Sequence, residues 1–162
     1  MAAFKQMFTE QPLNTITVTA LARRANVNRK TYYQYFYTLT DVLQAIEDEL
    51  LQEIENVIAK VQPLTIENLT LGLNQLARKN YHFCKALIKN NQNDFFLVRG
   101  KDLFKQGLAK RIGADLADPI VDLRLECISA GVTDLYDYWI VNYPELPDKK
   151  LVEVLQSVLN EL

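Results

Sequence analysis

Along the stretch 42–60, the apolar side chains Leu43, Ile46, Leu50, Ile54, Val57 and Ile58 recur at intervals of three and four positions. That spacing lines one face of an α-helix; a strand would alternate its side chains from face to face. The period returns after Pro63 in Leu69, Leu73 and Leu76, and after Pro147 in Leu151, Val154, Leu155, Val158, Leu159 and Leu162. Apart from the threonine-rich Ile16 to Thr19, nearly everything reads as helix, so the chain is expected to be all-α. The prolines at 12, 63, 119, 144 and 147 fall between periodic segments or at their starts and so mark helix boundaries.

Local start and stop signals divide the chain further. A first helix is expected over Ala2 to Thr9, and a second from a Thr17 cap to about Ala25. Asn26 tolerates a left-handed turn, with Val27 as its apolar anchor. Asn28 then caps a third helix from Arg29 to about Phe36, and Thr38 or Thr40 caps a fourth reaching about Lys60. Thr65 opens a fifth to about Lys79, which either ends there or runs on through Tyr81 to Lys89. A polar loop at Asn90 to Asn93 precedes Asp94, a capping residue. One or two helices follow over Phe95 to Val98 and Leu103 to Leu116, broken near Gly100. A long helix from Pro119 to Val141 and a last one from Asp148 to Leu162 complete the body.

Composition narrows the function. The 162 residues are 49% hydrophobic and 23% charged, enough for a small head on a larger body, with no apolar run long enough to span a membrane. The start MAAFKQMF lacks the pattern of a secretory signal, which places the protein in the cytoplasm. Cys84 and Cys127 read as buried reduced thiols. His82 is the only histidine, so neither a histidine-rich metal site nor a histidine-dependent triad is expected. No glycine-rich phosphate loop, nucleophile elbow or C-x-x-C pair occurs. The reading is a non-enzyme without cofactor. Charge is divided unevenly: residues 1 to 40 hold five basic residues against one acid, and residues 41 to 162 hold 13 against 19, giving +4 and −6. A locally positive head suffices for phosphate binding even when the whole chain is acidic.

The stretch Ile16 to Leu43, ITVTALARRANVNRKTYYQYFYTLTDVL, places two short capped helices around a tight turn, which describes a helix-turn-helix. Tyr32 and Phe36 would face inward toward Leu21, Ala25 and Val27. Asn28, Arg29, Lys30, Thr31, Tyr33 and Gln34 then form a cationic, hydrogen-bonding surface suited to a major groove. The same stretch resembles the head of the TetR family, with Thr17, Leu21, Ala22, Ala25, Val27, Thr31, Tyr33, Tyr35 and Phe36 at the family's spacing. The segment from Asn28 to Tyr33 also looks like the variant turn of members similar to regulators of dihydroxyacetone metabolism. The resemblance implies backbone contacts from Thr17, Tyr35 and Thr38, and places Thr19, Arg29, Lys30, Thr31 and Tyr33 near base edges. Asn26 and Asn28 replace the usual glycine and serine conservatively, whereas Leu39 stands where a lysine is common and removes one phosphate contact.

By the same resemblance, residues 1–45 form a three-helix DNA-binding head and residues 46–162 a helical body for dimerisation and effector binding. The apolar faces of the last two helices, with Leu135, Trp139, Leu151, Val154, Leu155 and Val158, are expected to meet their copies in a homodimer. Tyr81, His82, Phe83, Phe96, Phe104, Tyr136 and Trp139 are the expected lining of a small-molecule effector pocket. The function implied is a ligand-responsive repressor binding palindromic double-stranded operator DNA. The alternative is a coactivator of the same fold controlled by a partner protein, and neither reading involves a membrane.

Overall fold

A computed structural model describes residues 1–92 and 94–160, with the side chains of Phe95, Phe96 and Asn160 outside that set. The expectations for Asn93, for the Phe96 side chain and for Leu162 therefore lie outside the described residues. The described chain is helical: α1 (Ala2–Glu10), α2 (Val18–Arg24), α3 (Arg29–Tyr32), α4 (Leu39–Lys60), α5 (Ile66–Lys79), α6 (Tyr81–Lys89), α7 (Asp94–Ile112), α8 (Pro119–Asn142) and α9 (Asp148–Asn160), with a short 3₁₀ turn at Leu13–Thr15. Among the described residues no helix is long and apolar enough to cross a membrane.

The helix starts follow the cap chemistry. Thr17 Oγ1 accepts from the Ala20 amide and Asn28 Oδ1 from the Lys30 amide. Thr38 and Asp41 form a reciprocal capping box at the start of α4, and Asp118 caps α8 ahead of Pro119. Asn26 adopts a positive φ of 54° between α2 and α3, as its place in the turn predicts. Val27, expected to anchor that turn from inside, is instead 42% exposed; Ala25 is exposed too, and the inward contacts come from Leu21 and Ala22.

The third helix is shorter than its spacing predicts. Regular α-turns end at Tyr32, and the amides of Gln34 and Tyr35 bond to the carbonyls three residues back. The chain must reverse here into α4. Tyr32 Oη fastens the reversal by donating to the Thr38 carbonyl at 2.7 Å.

Two cores meet on α4. Its first half contributes Val42, Leu43, Ile46 and Leu50 to a core with Phe4, Phe8, Leu21 and Tyr32. This core is completed by Phe83, Ala86 and Leu87 of α6, which packs on α1. The second half of α4 carries Ile58 into the body core with Leu73, Phe104, Val132 and Leu155. A third cluster of Trp139, Ile140 and Leu151 joins α8 to α9. Arg78 pins this end by bonding to Asp148 and to the carbonyls of Pro144 and Leu146, with its guanidinium 5.0 Å from the Trp139 ring.

Helix α7 runs unbroken through Gly100, where a break is expected from sequence. A glycine inside a helix costs about 1 kcal/mol relative to alanine. Here Gly107 lets α7 approach α4 closely: a Cβ there would lie 3.2 Å from Ile58, whereas one on Gly100 would meet Leu51 at an ordinary contact distance of 3.7 Å. The packing gained offsets the helical cost. Arg111 at the end of α7 donates to the carbonyls of Ala59 and Val61, satisfying acceptors left open at the C-terminus of α4.

One polar group on α4 is out of keeping with this packing. Glu47 is 3% exposed and its Oε1 has no hydrogen-bond partner among the described residues. Burial, with Asp48 beside it, pushes its carboxyl up to about 7. The folded state therefore holds the proton more tightly than the unfolded chain, and stability should fall as pH rises from about 4.5 through 7. Glu47→Gln should raise stability at pH 8 by roughly 1–3 kcal/mol and flatten that decline. Urea denaturation at pH 5 and pH 8 measures both effects, and an unchanged slope in the variant would show that Glu47 is not the cause.

Candidate nucleic-acid interface and body cavities

The residues expected to face DNA lie on α2, on α3 and in the turn that follows. All ten, Thr17, Thr19, Asn28, Arg29, Lys30, Thr31, Tyr33, Gln34, Tyr35 and Thr38, are exposed. The tyrosine cluster divides cleanly. Tyr32 is buried, packs edge-on against Tyr33 and contacts Phe36, whereas Tyr33, Tyr35 and Tyr37 are 45%, 75% and 85% exposed. Tyr37 is the aromatic that sequence reasoning left out of the surface. Its signal was its place between Tyr35 and the Thr38 cap, in a segment with no helical period to assign it a face.

Three of these residues also have structural work. Thr17, Asn28 and Thr38 use side-chain oxygens to cap α2, α3 and α4, leaving the Thr17 hydroxyl hydrogen and the Asn28 amide group as donors. Asp41, held by the Thr38 amide and hydroxyl and by the Tyr37 amide, has its carboxyl below the ordinary range and so stays ionised. Leu39, in place of a lysine, is partly buried against the head core.

The electrostatics of this surface are one-sided. No aspartate or glutamate occurs from Gln11 to Thr40, while Arg23, Arg24, Arg29 and Lys30 do. Arg24 is committed to Glu10 through two bonds of 2.5 and 2.6 Å and ties α2 to α1. Among the described residues Arg23, Arg29 and Lys30 make no ion pair. Free cations beside hydroxyls and phenols on a short exposed helix can hold phosphate and read base edges.

Among the described residues, two cavities stand out in the body. The smaller, about 110 Å³, is almost entirely apolar and lies among α4, α5, α6, α7 and α8. Phe104 and Tyr136 line it, beside Asn80, Cys84 and Asp137. Tyr136 Oη donates to Asn74 Oδ1 at 2.7 Å, and burial pushes its phenol upward. Burial likewise pushes the Cys84 thiol up to about 12, which makes it inert as a nucleophile. The larger, about 600 Å³, is a groove among α5, α7, α8 and α9.

The other expected pocket residues with described side chains lie elsewhere. Phe83 belongs to the head core, with its ring 5.6 Å from Phe8. His82 is exposed and rests edge-on against Tyr81, which takes a hydrogen bond from Lys85. Trp139 is buried in the α8–α9 cluster, its Nε1 without a partner among the described residues. Cys127, expected to be buried, is exposed on α8.

Of the residues expected between subunits, Trp139, Leu151 and Leu155 are covered within their own subunit and Leu135 is half-buried. Val154 and Val158 are 42% and 52% exposed, and α8 exposes Ile120, Leu123 and Tyr138. Helix α9 thus spends one face on α5 and keeps a second apolar stripe open.

Known structures share this arrangement of helices. The chain is similar to a structure described as the dihydroxyacetone kinase operon activator DhaS, with a TM-score of 0.73, 19% identity, and 99% of this chain and 91% of that one covered. It is also similar to the TetR family repressor AlkX from Dietzia sp. strain DQ12-45-1b, implicated in biodegradation of n-alkanes, with a TM-score of 0.61, 18% identity, and 99% and 93% coverage. The chain has the TetR-type fold. No protein-family profile and no curated protein matches the sequence. The TetR-type layout therefore rests on the path of the helices, which both comparisons follow over nearly the whole chain.

The separation of Tyr32 from its exposed neighbours can be measured. Tyr32→Ala should destabilise the protein by about 3–5 kcal/mol through lost packing. Tyr32→Phe, which deletes only the bond to the Thr38 carbonyl, should cost about 0.5–1.5 kcal/mol. Tyr35→Ala should leave stability within about 0.5 kcal/mol of the parent, as expected for a surface site. Chemical denaturation of the three variants gives the order, and a costly Tyr35→Ala would place that ring in the core.

Proposed function

We propose that this protein is a DNA-binding transcriptional regulator that holds a palindromic operator as a homodimer and responds to a small molecule bound in its body. The observation that carries the reading is the acid-free, exposed surface of α2, α3 and the following turn, displayed on a TetR-type fold. Arg29, Lys30, Thr31, Tyr33 and Gln34 reach base edges and Thr17, Tyr35 and Thr38 hold the backbone, with Thr19 and Asn28 at the rim of the contact. Tyr37 extends the backbone contact beyond Thr38.

A second head follows from geometry. One short recognition helix reads only a few base pairs, and two-fold pairing puts the second helix in the next major groove, about 34 Å along the duplex. The open stripes of α8 and α9, with Leu123, Tyr138, Val154 and Val158, supply a surface for that pairing. The two similar structures carry opposite signs of control, an activator and a repressor. Occlusion of a promoter by the bound dimer is the simplest outcome, and we assign repression.

Selection of bound fragments from random DNA tests the assignment directly: a symmetric site with half-sites one helical turn apart is expected, and no enrichment would sink it. Lys30→Ala and Tyr33→Phe should each weaken binding to that site by about 1–3 kcal/mol while leaving the melting temperature unchanged. Val158→Arg should give helical monomers on size-exclusion chromatography with light scattering. Such monomers should bind a full operator far more weakly, because each head loses its tethered twin. A wild type that is monomeric at micromolar concentration would remove the dimer from the reading.

A further inference from the structure

The two body cavities differ in what they can hold. Effector sites for drug-sized molecules run from roughly 300 to 1,000 Å³. The cavity of about 110 Å³ falls well below that span, and the groove of about 600 Å³ falls within it. Among the described residues, Leu73, Phe104 and Val132 line both spaces and form the wall between them.

The groove has a definite chemistry. Its inner surface is built from aliphatic and aromatic groups such as Leu69, Phe104, Leu108, Ile128 and Leu155, so a polar ligand would lose hydration there without compensation. Among the described residues its one charged lining residue is Arg124 on α8. The nearby acids of α8, Asp122 and Glu126, are turned to Lys105 and Lys101 of α7. Among the described residues Arg124 makes no ion pair, and it is exposed. Thr65, also exposed in the lining, accepts from the Asn68 amide and keeps its hydroxyl hydrogen to donate. An apolar trough with donors and one free cation selects an amphiphile with an anionic head.

We propose that the groove among α5, α7, α8 and α9 is the effector site, and that its ligand is an aliphatic carboxylate whose tail fills the trough and whose head is held by Arg124. This deepens, and rests on, the reading of the body as a sensor. Tail insertion presses on Phe104, which shares the wall with the inner cavity and sits in the body core with Ile58 of α4. The site is thereby joined to the helix that carries the head.

The test is calorimetric titration of the full chain with decanoate below its micellar concentration, with decanol and decyltrimethylammonium as probes of the tail alone and of the opposite charge. Decanoate is expected to bind most tightly and the cation most weakly. Arg124→Gln, an exposed change that leaves the fold intact, should weaken decanoate by roughly three- to tenfold, the range for a partly screened ion pair, and leave decanol unchanged. Leu108→Trp should block all three probes, with circular dichroism confirming that the variant is folded. No heat with decanoate, or equal affinity for decanoate and the cation, overturns the proposal. Decanoate affinity that falls as protein concentration rises would assign the groove to a second copy of the chain and also overturn it. These titrations contain no DNA, so their failure leaves the operator reading standing. Binding with no effect on operator affinity in a gel shift would instead remove the sensor role.

Discussion

Helix α4 is the constraint on which the rest of the molecule depends. Its 22 residues extend for about 33 Å at the usual rise per residue, and its two ends are buried in different cores. Val42, Leu43 and Ile46 cannot be moved without disturbing α1, α2 and α3, and Ile58 cannot be moved without disturbing α5, α7 and α8. A packed interior deforms in steps more readily than by degrees, because its voids are few and small. A shift of α4 at the body end is therefore passed to the head as a rigid displacement. Both ends are chemically finished, by the Thr38–Asp41 box at one and by Arg111 at the other, so neither is free to fray.

Legibility in the sequence followed the range of the interactions concerned. Caps at Thr17, Asn28 and Thr65, the choice of Thr38 or Thr40, and the left-handed Asn26 depend on atoms a few residues away, and the residue types point to them. Helix α7 was harder because a glycine such as Gly107 has two readings, as a break or as a place of close approach. Only the position of Ile58 on another helix decides between them. Phe83 shows the same limit. Its amphipathic helix is plain from sequence, but that its partner would be α1 rather than the body has no local signal at all.

The exposed surface of α2 and α3 and the cavities stand at opposite ends of this scale. In the head, Tyr32, Tyr33 and Phe36 are separated by helical spacing, so their division into inside and outside can be read off before any fold is known. A cavity is the space that several helices fail to fill, and no residue announces it. Of the seven residues expected to line a pocket, Phe104 and Tyr136 do so around the small cavity, and Phe104 again around the large groove. Arg124 escaped notice because a lone arginine on a helix usually means no more than a solvated face.

Helix α6 sets a limit on how this protein can be taken apart. One of its faces closes the head core with Phe83, Ala86 and Leu87, while Cys84, Leu87 and Ile88 line the small cavity on the body side. Nine residues thus serve two neighbours at once, and Leu87 serves both. The head is consequently not a continuous stretch of chain. A chimaera that joined residues 1–45 to a foreign body would leave Phe4, Phe8 and Leu43 without their cover, and would have to bring α6 along as part of the graft.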